Sequence, residues 1–250
     1  MKNKVLAIFK YHRAWNMNVV NSFSNFYDIE YLQISDYKNK NFTETINDIN
    51  NVIKSKSIEI VIFDVDYFKF INFFFIEKIN CKKKILITGD DFELHEMNAI
   101  TASACDMVLT GCPLSKLKYK EKGYEAHFIL FENSKIKKNT TEKKDIDVLF
   151  FGDITPDRKK ILEYIVKEGV NLKNVGHEEH IQGVPNDELT KLISKTKIVL
   201  NLSKSRTTSV KNFFSHNAYK FYYQHKGRII VSGLNGTVCV SEYSPGQELF

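Results

Sequence analysis

Cysteine, proline and tryptophan are scarce in this chain, whose 250 residues include four cysteines, four prolines and one tryptophan. The cysteines lack the Cys-x-x-Cys spacing of metal-binding and redox motifs, and they stand at Cys81, Cys105, Cys112 and Cys239. A disulfide-rich secreted fold is therefore excluded and a zinc site is not expected. Free thiols in a reducing cytosol are the simplest interpretation.

Long hydrophobic runs are also missing. The longest apolar stretch, at 68–76, is interrupted by Lys69 and Asn72 and is too short for a membrane span. The basic N-terminal tip precedes only a brief apolar stretch without a small-residue cleavage site, so we expect no signal peptide. With 43% hydrophobic and 26% charged residues, the composition is that of a globular protein of one large or two modest domains.

The net charge of +6 is dispersed, because lysines alternate with acidic residues and asparagines along the chain. Lysine clusters at 82–84, 135–138 and 143–144 fit solvated loops, and a weak attraction to phosphates or to an anionic membrane surface is the alternative. The combined aromatic and basic pattern of nucleic-acid modules is absent, so we expect no nucleic-acid partner.

Short apolar runs alternate with amphipathic stretches, which predicts parallel sheets covered by helices on both faces. Strands are expected at 4–9, 29–34, 58–64, 84–88, 107–110, 127–131, 147–151, 171–175, 197–202 and 237–241. Helices are expected at 16–25, 43–54, 67–79, 94–103, 113–122, 156–167, 186–194 and 210–224.

A lysine-rich segment without apolar periodicity interrupts this alternation. It predicts two α/β domains, at 1–133 and 146–250, joined by a linker at 134–145. The second half stops at Phe250 shortly after a strand, without the helices needed to cover its sheet. We therefore expect the second domain to be incomplete.

The most informative segment is Ile146–Arg158, with the sequence IDVLFFGDITPDR. An apolar strand ends at Gly152, a short polar loop follows, and Pro156 suits the first turn of a helix. The free N–H groups of a helix start, with Arg158 one turn further, form a good site for a phosphate. The same strand, turn and helix also occur in folds that bind nothing there.

Other polar residues of the second half follow predicted strands as well: Asp153, Asn201, Ser203, Ser241 and Glu242. In a doubly wound sheet the carboxyl ends of the strands border the ligand crevice. Small polar side chains and a carboxylate there suit a nucleoside diphosphate, with Arg158, Arg206 and Arg228 as candidate counter-charges. For each arginine, a surface ion pair is the alternative.

Three segments resemble the donor-binding domain of glycosyltransferases with the GT-B fold, and especially the spore-maturation-protein-like (CgeB-type) or family 1/4-like group. They stand here as DVLFFGDITPDR, SKTKIVLNLS and GRIIVSGLNGTVCVSE. The resemblance covers about the last hundred residues well. It implies two Rossmann-like doubly wound domains of a hexosyltransferase-like enzyme of polysaccharide biosynthesis, acting in the cleft between them.

The resemblance also implies roles for individual residues. Gly152, Asp153 and Arg158 would face the phosphates of a nucleotide sugar, with Asn201 and Ser203 alongside. Arg228 would neutralise the leaving diphosphate, whose negative charge builds up in the transition state, and Ser241 and Glu242 would hold the ribose or the sugar. Many GT-B enzymes carry a glutamate three residues after this arginine, where Val231 stands here.

An inverting enzyme would need a general base on the acceptor side, whereas a retaining enzyme would not. Asp91 and His12 are the favoured candidates, and Asp90, His95 and Arg13 lie beside them in sequence. A helix cap is the alternative for Asp90 and Asp91, because aspartate is preferred at that position.

A competing signal is the pair Asp64 and Asp66, which resembles the metal-binding DxD of GT-A glycosyltransferases. Capping at the strand end is the simpler interpretation, since DxD often arises by chance. His177 and His180 could imitate metal ligands, but they are expected to be surface residues.

The sequence thus predicts a cytoplasmic transferase that uses a nucleotide-sugar donor and a glycan, lipid-linked or protein acceptor. Peripheral contact at the inner membrane face is left open. No metal or other cofactor is expected, because arginines and helix dipoles can serve the diphosphate. The alternatives are a non-catalytic nucleotide- or sugar-binding module and a metal-dependent enzyme centred on Asp64 and Asp66.

Overall fold

The computed structural model of the chain describes residues 2–9, 14–64, 71–89, 91–129, 143–176, 186–204, 227–244 and 247–249. The chain divides into an N-terminal unit, Met1–Phe131 with Thr208–Tyr219, and a C-terminal unit, Glu132–Thr207 with Lys220–Phe250. The linker expected at 134–145 lies mostly outside the described residues, so the domain boundaries stay a prediction.

The N-terminal unit contains one sheet of six parallel strands in the order β2-β1-β3-β4-β5-β6. All six strands were expected from the sequence. Their bounds are Lys4–Phe9 (β1), Asp28–Gln33 (β2), Ile60–Asp64 (β3), Lys83–Thr88 (β4), Met107–Thr110 (β5) and Ala126–Phe128 (β6).

Within the described residues, five α-helices connect these strands, and they cover both faces of the sheet. Residues of α2 to α5 pack in the cluster that contains Leu6 and Ile8, while α1 contributes Val19 and Val20 to the cluster that contains Ala7. Adjacent residues of β1 thus face opposite sides, as the pleat of a strand requires. The bounds are Ala14–Phe23 (α1), Phe42–Lys56 (α2), Phe73–Glu77 (α3), Asp91–Ala102 (α4) and Pro113–Glu121 (α5).

The C-terminal unit contains four parallel strands in the order β10-β9-β7-β8. The strands are Ile146–Phe150 (β7), Leu172–Asn174 (β8), Thr196–Asn201 (β9) and Val238–Ser241 (β10). The helices are Pro156–Lys167 (α6), Asn186–Ser194 (α7) and Arg228–Leu234 (α8). Helix α8 was not predicted, and the helix expected at 210–224 lies outside the described residues.

Helices also cover both faces of this second sheet. Leu149 belongs to one apolar cluster with Ile193 of α7 and Val231 of α8. Its neighbour Phe150 belongs to a second cluster with Leu162 of α6. The predicted fold class is therefore confirmed: the protein is α/β, with two doubly wound parallel sheets of the Rossmann type.

Both sheets begin with the same strand order, since β8-β7-β9-β10 repeats the pattern of β2-β1-β3-β4. In this order successive connections run to opposite sides of the first strand, which opens a crevice at the carboxyl ends of the first and third strands. In the C-terminal unit the corresponding position lies beyond Phe150 and Asn201, where β7 and β9 end. None of the described helices is long and apolar enough to cross a membrane.

The start of α2 provides a test of local stability. The Asn41 side chain accepts the N–H of Glu44 at 2.9 Å, and the Glu44 carboxylate accepts the N–H of Asn41 at 3.0 Å. We expect Asn41→Ala to lower the free energy of unfolding by about 1 kcal/mol, because it removes this reciprocal cap. Asn51→Ala is the matched control: this exposed position within α2 should gain slightly in helix propensity. Urea denaturation measures both, and equal effects would contradict the prediction.

Candidate functional site

Three strand ends of the C-terminal unit meet in one polar network. Ser241 pairs in register with Asn201, and the Asn201 amide donates to the Ser241 hydroxyl at 2.8 Å and to the Ser203 hydroxyl at 2.9 Å. Asn201 and Ser203 are fully buried, whereas Ser241 is partly exposed. The sequence prediction that these residues lie together at the carboxyl edge of the sheet is confirmed.

The guanidinium of Arg228 links the ends of β7 and β9. Its Nε donates to Asn201 Oδ1 at 3.0 Å, Nη1 to the Phe151 carbonyl at 3.1 Å and Nη2 to the Leu202 carbonyl at 3.4 Å. It also lies over the rings of Phe150 and Phe151, at 5.5 and 5.8 Å from their centroids, a cation–π arrangement. Arg228 is 8% exposed. Arg228, which the sequence predicts to neutralise the leaving group, is therefore buried beneath the loops that follow β7 and β9.

Gly152 makes this position of Arg228 possible. Its backbone φ of +106° is disfavoured for any residue that has a Cβ, and a Cβ placed there would lie 2.7 Å from Arg228 Nη1. The glycine turn predicted from the sequence is thus required by the backbone conformation and also by the neighbouring guanidinium.

Glu242 caps the loop that follows β9. Its Oε2 accepts the N–H groups of Ser203 at 2.7 Å and of Lys204 at 3.2 Å. No donor within the described part of the chain reaches its Oε1, and the side chain is partly exposed. The carboxylate is thus fixed by one of its two oxygens.

Arg158, on α6, connects the loops that follow β7 and β9. Thr155 caps this helix, and the guanidinium folds back to donate to the Asp153 carbonyl at 2.8 Å and to the Lys204 carbonyl at 3.0 Å. The residue is 4% exposed. Its predicted contact with phosphate stays a prediction, as does that of Asp153, and Arg206 lies outside the described residues.

The sequence did not predict two further participants. Lys204 supplies a backbone N–H to Glu242, and the Gln247 amide donates to the Ser241 hydroxyl at 2.7 Å and to the Glu242 carbonyl at 2.8 Å. The one available signal for Gln247 was the turn-forming Ser-Pro-Gly at 244–246 just before it.

A second polar cluster lies at the carboxyl ends of β4 and β5 in the N-terminal unit. The fully buried carboxylate of Asp91 accepts hydrogen bonds from Thr88 at 2.8 Å, Thr110 at 2.5 Å, Asn98 at 2.8 Å and Tyr119 at 2.9 Å. These donors come from β4, β5, α4 and α5, so Asp91 fastens four elements together. Its predicted role as a general base stays a prediction.

His95 is buried beside this carboxylate. Its Nδ1 lies 3.9 Å from Asp91 Oδ1, its ring centroid lies 4.5 Å from that of Tyr119, and its ring nitrogens have no hydrogen-bond partner within the described residues. Burial lowers the pKa of His95, and this effect outweighs the opposing attraction of the Asp91 carboxylate. The imidazole is therefore neutral in the folded protein at neutral pH.

The remaining candidates are more dispersed. Asp64 is 7% exposed at the end of β3, whereas the other candidates lie outside the described residues: Asp66, His12, Arg13, Asp90, His177 and His180. Among the described residues, no group of three or more His, Cys, Asp or Glu side chains could hold a metal ion.

Burial raises the pKa of Cys81 to about 11 and that of Cys105 to about 12.

Comparison with known proteins found no matching family model and no matching curated protein. Among solved structures, the chain is similar to a proposed UDP-N-acetylglucosamine 2-epimerase from Listeria monocytogenes, at 12% identity and a TM-score of 0.49, over 80% of this chain and 74% of that one. It is also similar to an α1,3-fucosyltransferase solved with GDP-fucose, at 12% identity and a TM-score of 0.41, over 98% of this chain and 70% of that one.

The contact between Gly152 and Arg228 predicts the effect of a single methyl group. We expect Gly152→Ala to lower the free energy of unfolding by about 2 kcal/mol or more, because the backbone conformation and the guanidinium both oppose a Cβ. Gly233→Ala in α8 is the control, since a Cβ there meets nothing within 4 Å and should stabilise the helix by about 0.5–1 kcal/mol. Urea denaturation distinguishes the two, and a neutral Gly152→Ala would contradict this account.

The environment of His95 predicts a dependence of stability on pH. Because the folded state holds its pKa below the unfolded value near 6.5, only the unfolded state takes up a proton as the pH falls below about 6.5. Stability should therefore fall with decreasing pH until the folded pKa is reached, at up to about 1.4 kcal/mol per pH unit. We expect His95→Phe to remove this component of the slope in urea titrations between pH 5 and 8, while His127→Gln, at an exposed site, retains it. A slope unchanged by His95→Phe would contradict the assignment.

Proposed function

We propose that the protein is a GT-B glycosyltransferase that binds a nucleotide sugar at the carboxyl edge of its second sheet. One observation carries the proposal: the three segments that resemble the donor-binding domain, far apart in the sequence, converge at this edge. Arg228 reaches Phe151 and Asn201, and Asn201 reaches Ser241. The convergence lies at the switch point of strand order, where doubly wound folds bind their ligands.

The diphosphate would lie over the loop from Gly152 to Thr155 at the start of α6. The N–H groups of the first helical turn and the helix dipole favour an anion there. Arg228 and Arg158 donate to carbonyls of the surrounding loops. Their positive charges would therefore act as a fixed potential beneath the phosphates, and such preorganised charge stabilises a departing diphosphate without reorganisation.

The ribose would contact Glu242, whose Oε1 is available to accept a hydroxyl. The position three residues after Arg228, where many GT-B enzymes have glutamate, is Val231, which packs in the apolar cluster around Leu149. A carboxylate at Val231 would lose that packing. We therefore assign the ribose contact to Glu242 instead.

The finer features of the transferase are part of the same proposal. These are the CgeB-type relationship, hexosyl transfer without metal, a role in polysaccharide biosynthesis, and a glycan, lipid-linked or protein acceptor. A cytoplasmic location with peripheral membrane contact also belongs here. His12 and Asp91 remain the candidate bases of an inverting reaction.

A non-catalytic nucleotide-sugar-binding module is the second candidate, and the state of Asp91 favours it. A general base must reach the acceptor hydroxyl, but the described residues of the N-terminal unit give this carboxylate four hydrogen bonds, and Asp91 is fully buried. An inverting enzyme that kept its donor site but lost its base would bind nucleotide sugars and transfer nothing.

The direct test is calorimetric titration with UDP, GDP and their sugars, with and without Mn²⁺, together with an assay of donor hydrolysis and transfer. We expect one nucleotide to bind without metal. Binding that needs Mn²⁺ and is lost in Asp66→Asn would contradict the proposal in favour of the metal-dependent enzyme. Binding with neither hydrolysis nor transfer would support the non-catalytic module.

Glu242→Gln locates the site. We expect it to weaken nucleotide binding by about tenfold, because a charge-assisted hydrogen bond to the ribose is lost while the amide oxygen can still accept the N–H groups of Ser203 and Lys204. Glu168→Gln, at the exposed end of α6, is the control and should bind as the wild type does. Equal affinities of the two variants would place the nucleotide elsewhere.

A further inference from the structure

Gln247 extends the polar network beyond Asn201, Ser203, Ser241 and Glu242. It begins a short 3-10 turn, Gln247–Leu249, that follows β10. Its Nε2 donates to the Ser241 hydroxyl at 2.7 Å and to the Glu242 backbone carbonyl at 2.8 Å. Both amide hydrogens are therefore used within the protein.

These two bonds determine the orientation of the amide. The Glu242 carbonyl can only accept, so the atom facing it must be the nitrogen of Gln247 and not its oxygen. Oε1 therefore points away from this carbonyl. No donor among the described residues reaches it, and the side chain is partly exposed.

Glu242 has a matching arrangement. Its Oε2 is held by the N–H groups of Ser203 and Lys204, and its Oε1 receives no hydrogen bond from the described chain. Glu242 and Gln247 are joined directly, because the amide of one is bonded to the backbone of the other. Two residues that follow β10, Glu242 and Gln247, thus each carry an acceptor oxygen next to an atom that is already hydrogen-bonded within the protein.

We propose that Gln247 is a specificity-determining residue that, together with Glu242, accepts the two vicinal hydroxyls of the ribose of a nucleoside diphosphate. The inference rests on the proposed function, since it concerns the same nucleotide. Two acceptors are the complement of two neighbouring hydroxyl donors, and a site built to bond a hydroxyl discriminates against an analogue that lacks it. Because the amide is held before the ligand arrives, little side-chain entropy is lost on binding.

The test compares ribonucleotides with their deoxy analogues. For whichever of UDP and GDP binds, we expect the 2′-deoxy and 3′-deoxy forms to bind wild-type protein about tenfold more weakly, which corresponds to one good hydrogen bond each. Gln247→Met keeps the length of the side chain but removes its acceptor, so one of the two affinity ratios should fall to about one. Glu248→Gln, at the exposed neighbouring position, is the control and should leave both ratios unchanged.

The outcomes separate this inference from the proposal on which it rests. If wild-type protein binds ribonucleotide but Gln247→Met lowers the affinity for all three forms equally, Gln247 only supports the turn and the inference is overturned. Unchanged ratios in Gln247→Met overturn it as well. If the wild-type protein binds neither UDP nor GDP, the proposed function fails and the inference fails with it. If the melting temperature of Gln247→Met equals that of the wild-type protein, the substitution has not unfolded the turn.

Discussion

The buried guanidinium of Arg228 is the constraint on which the second sheet's edge depends. It donates to backbone carbonyls at the ends of two neighbouring strands and to the amide of Asn201. Strand ends in a parallel sheet leave carbonyls that need donors, and a planar group with five N–H donors can satisfy several at once. Asn201 is thereby oriented so that its own amide hydrogens reach Ser203 and Ser241. Gly152 leaves room for this guanidinium. Ser203 and Ser241 accept the amide hydrogens of the asparagine that the guanidinium orients.

Much of the fold could be predicted from the sequence because buried parallel strands have short, continuous apolar sequences. Ile8, Ile62 and Leu149 lie in such runs, and each run became a strand within a few residues of the expected bounds. The convergence of Gly152, Asn201 and Ser241 could also be predicted, since the carboxyl ends of parallel strands share one edge. Both inferences depend only on local pattern and on the rule of parallel topology.

What escaped prediction depends on contacts between distant residues. Helix α8 contains Ile229, Ile230 and Val231 next to glycines, a composition of low helical propensity that tertiary packing overrides. The four donors of Asp91 stand on four different elements, and nothing in a single sequence says that they share one acceptor. Arg158 and Arg228 were expected to face phosphates, and the sequence did not indicate that their planar guanidinium groups would also donate to carbonyls inside the unit. Local pattern predicts which residues are near an edge but not which way each side chain turns.

The order of the network along the chain has a consequence for biosynthesis. The loops after β7 and β9 are made early, yet the groups that complete them, Arg228, Glu242 and Gln247, follow much later in the sequence. During synthesis from the N-terminus, the backbone N–H groups of Ser203 and Lys204 have no carboxylate, and the strand-end carbonyls have no guanidinium, until the ribosome has passed residue 242. The edge proposed to bind the nucleotide therefore assembles only after β10 has been made, and a nascent chain that stalls earlier carries β7, β8 and β9 without the site.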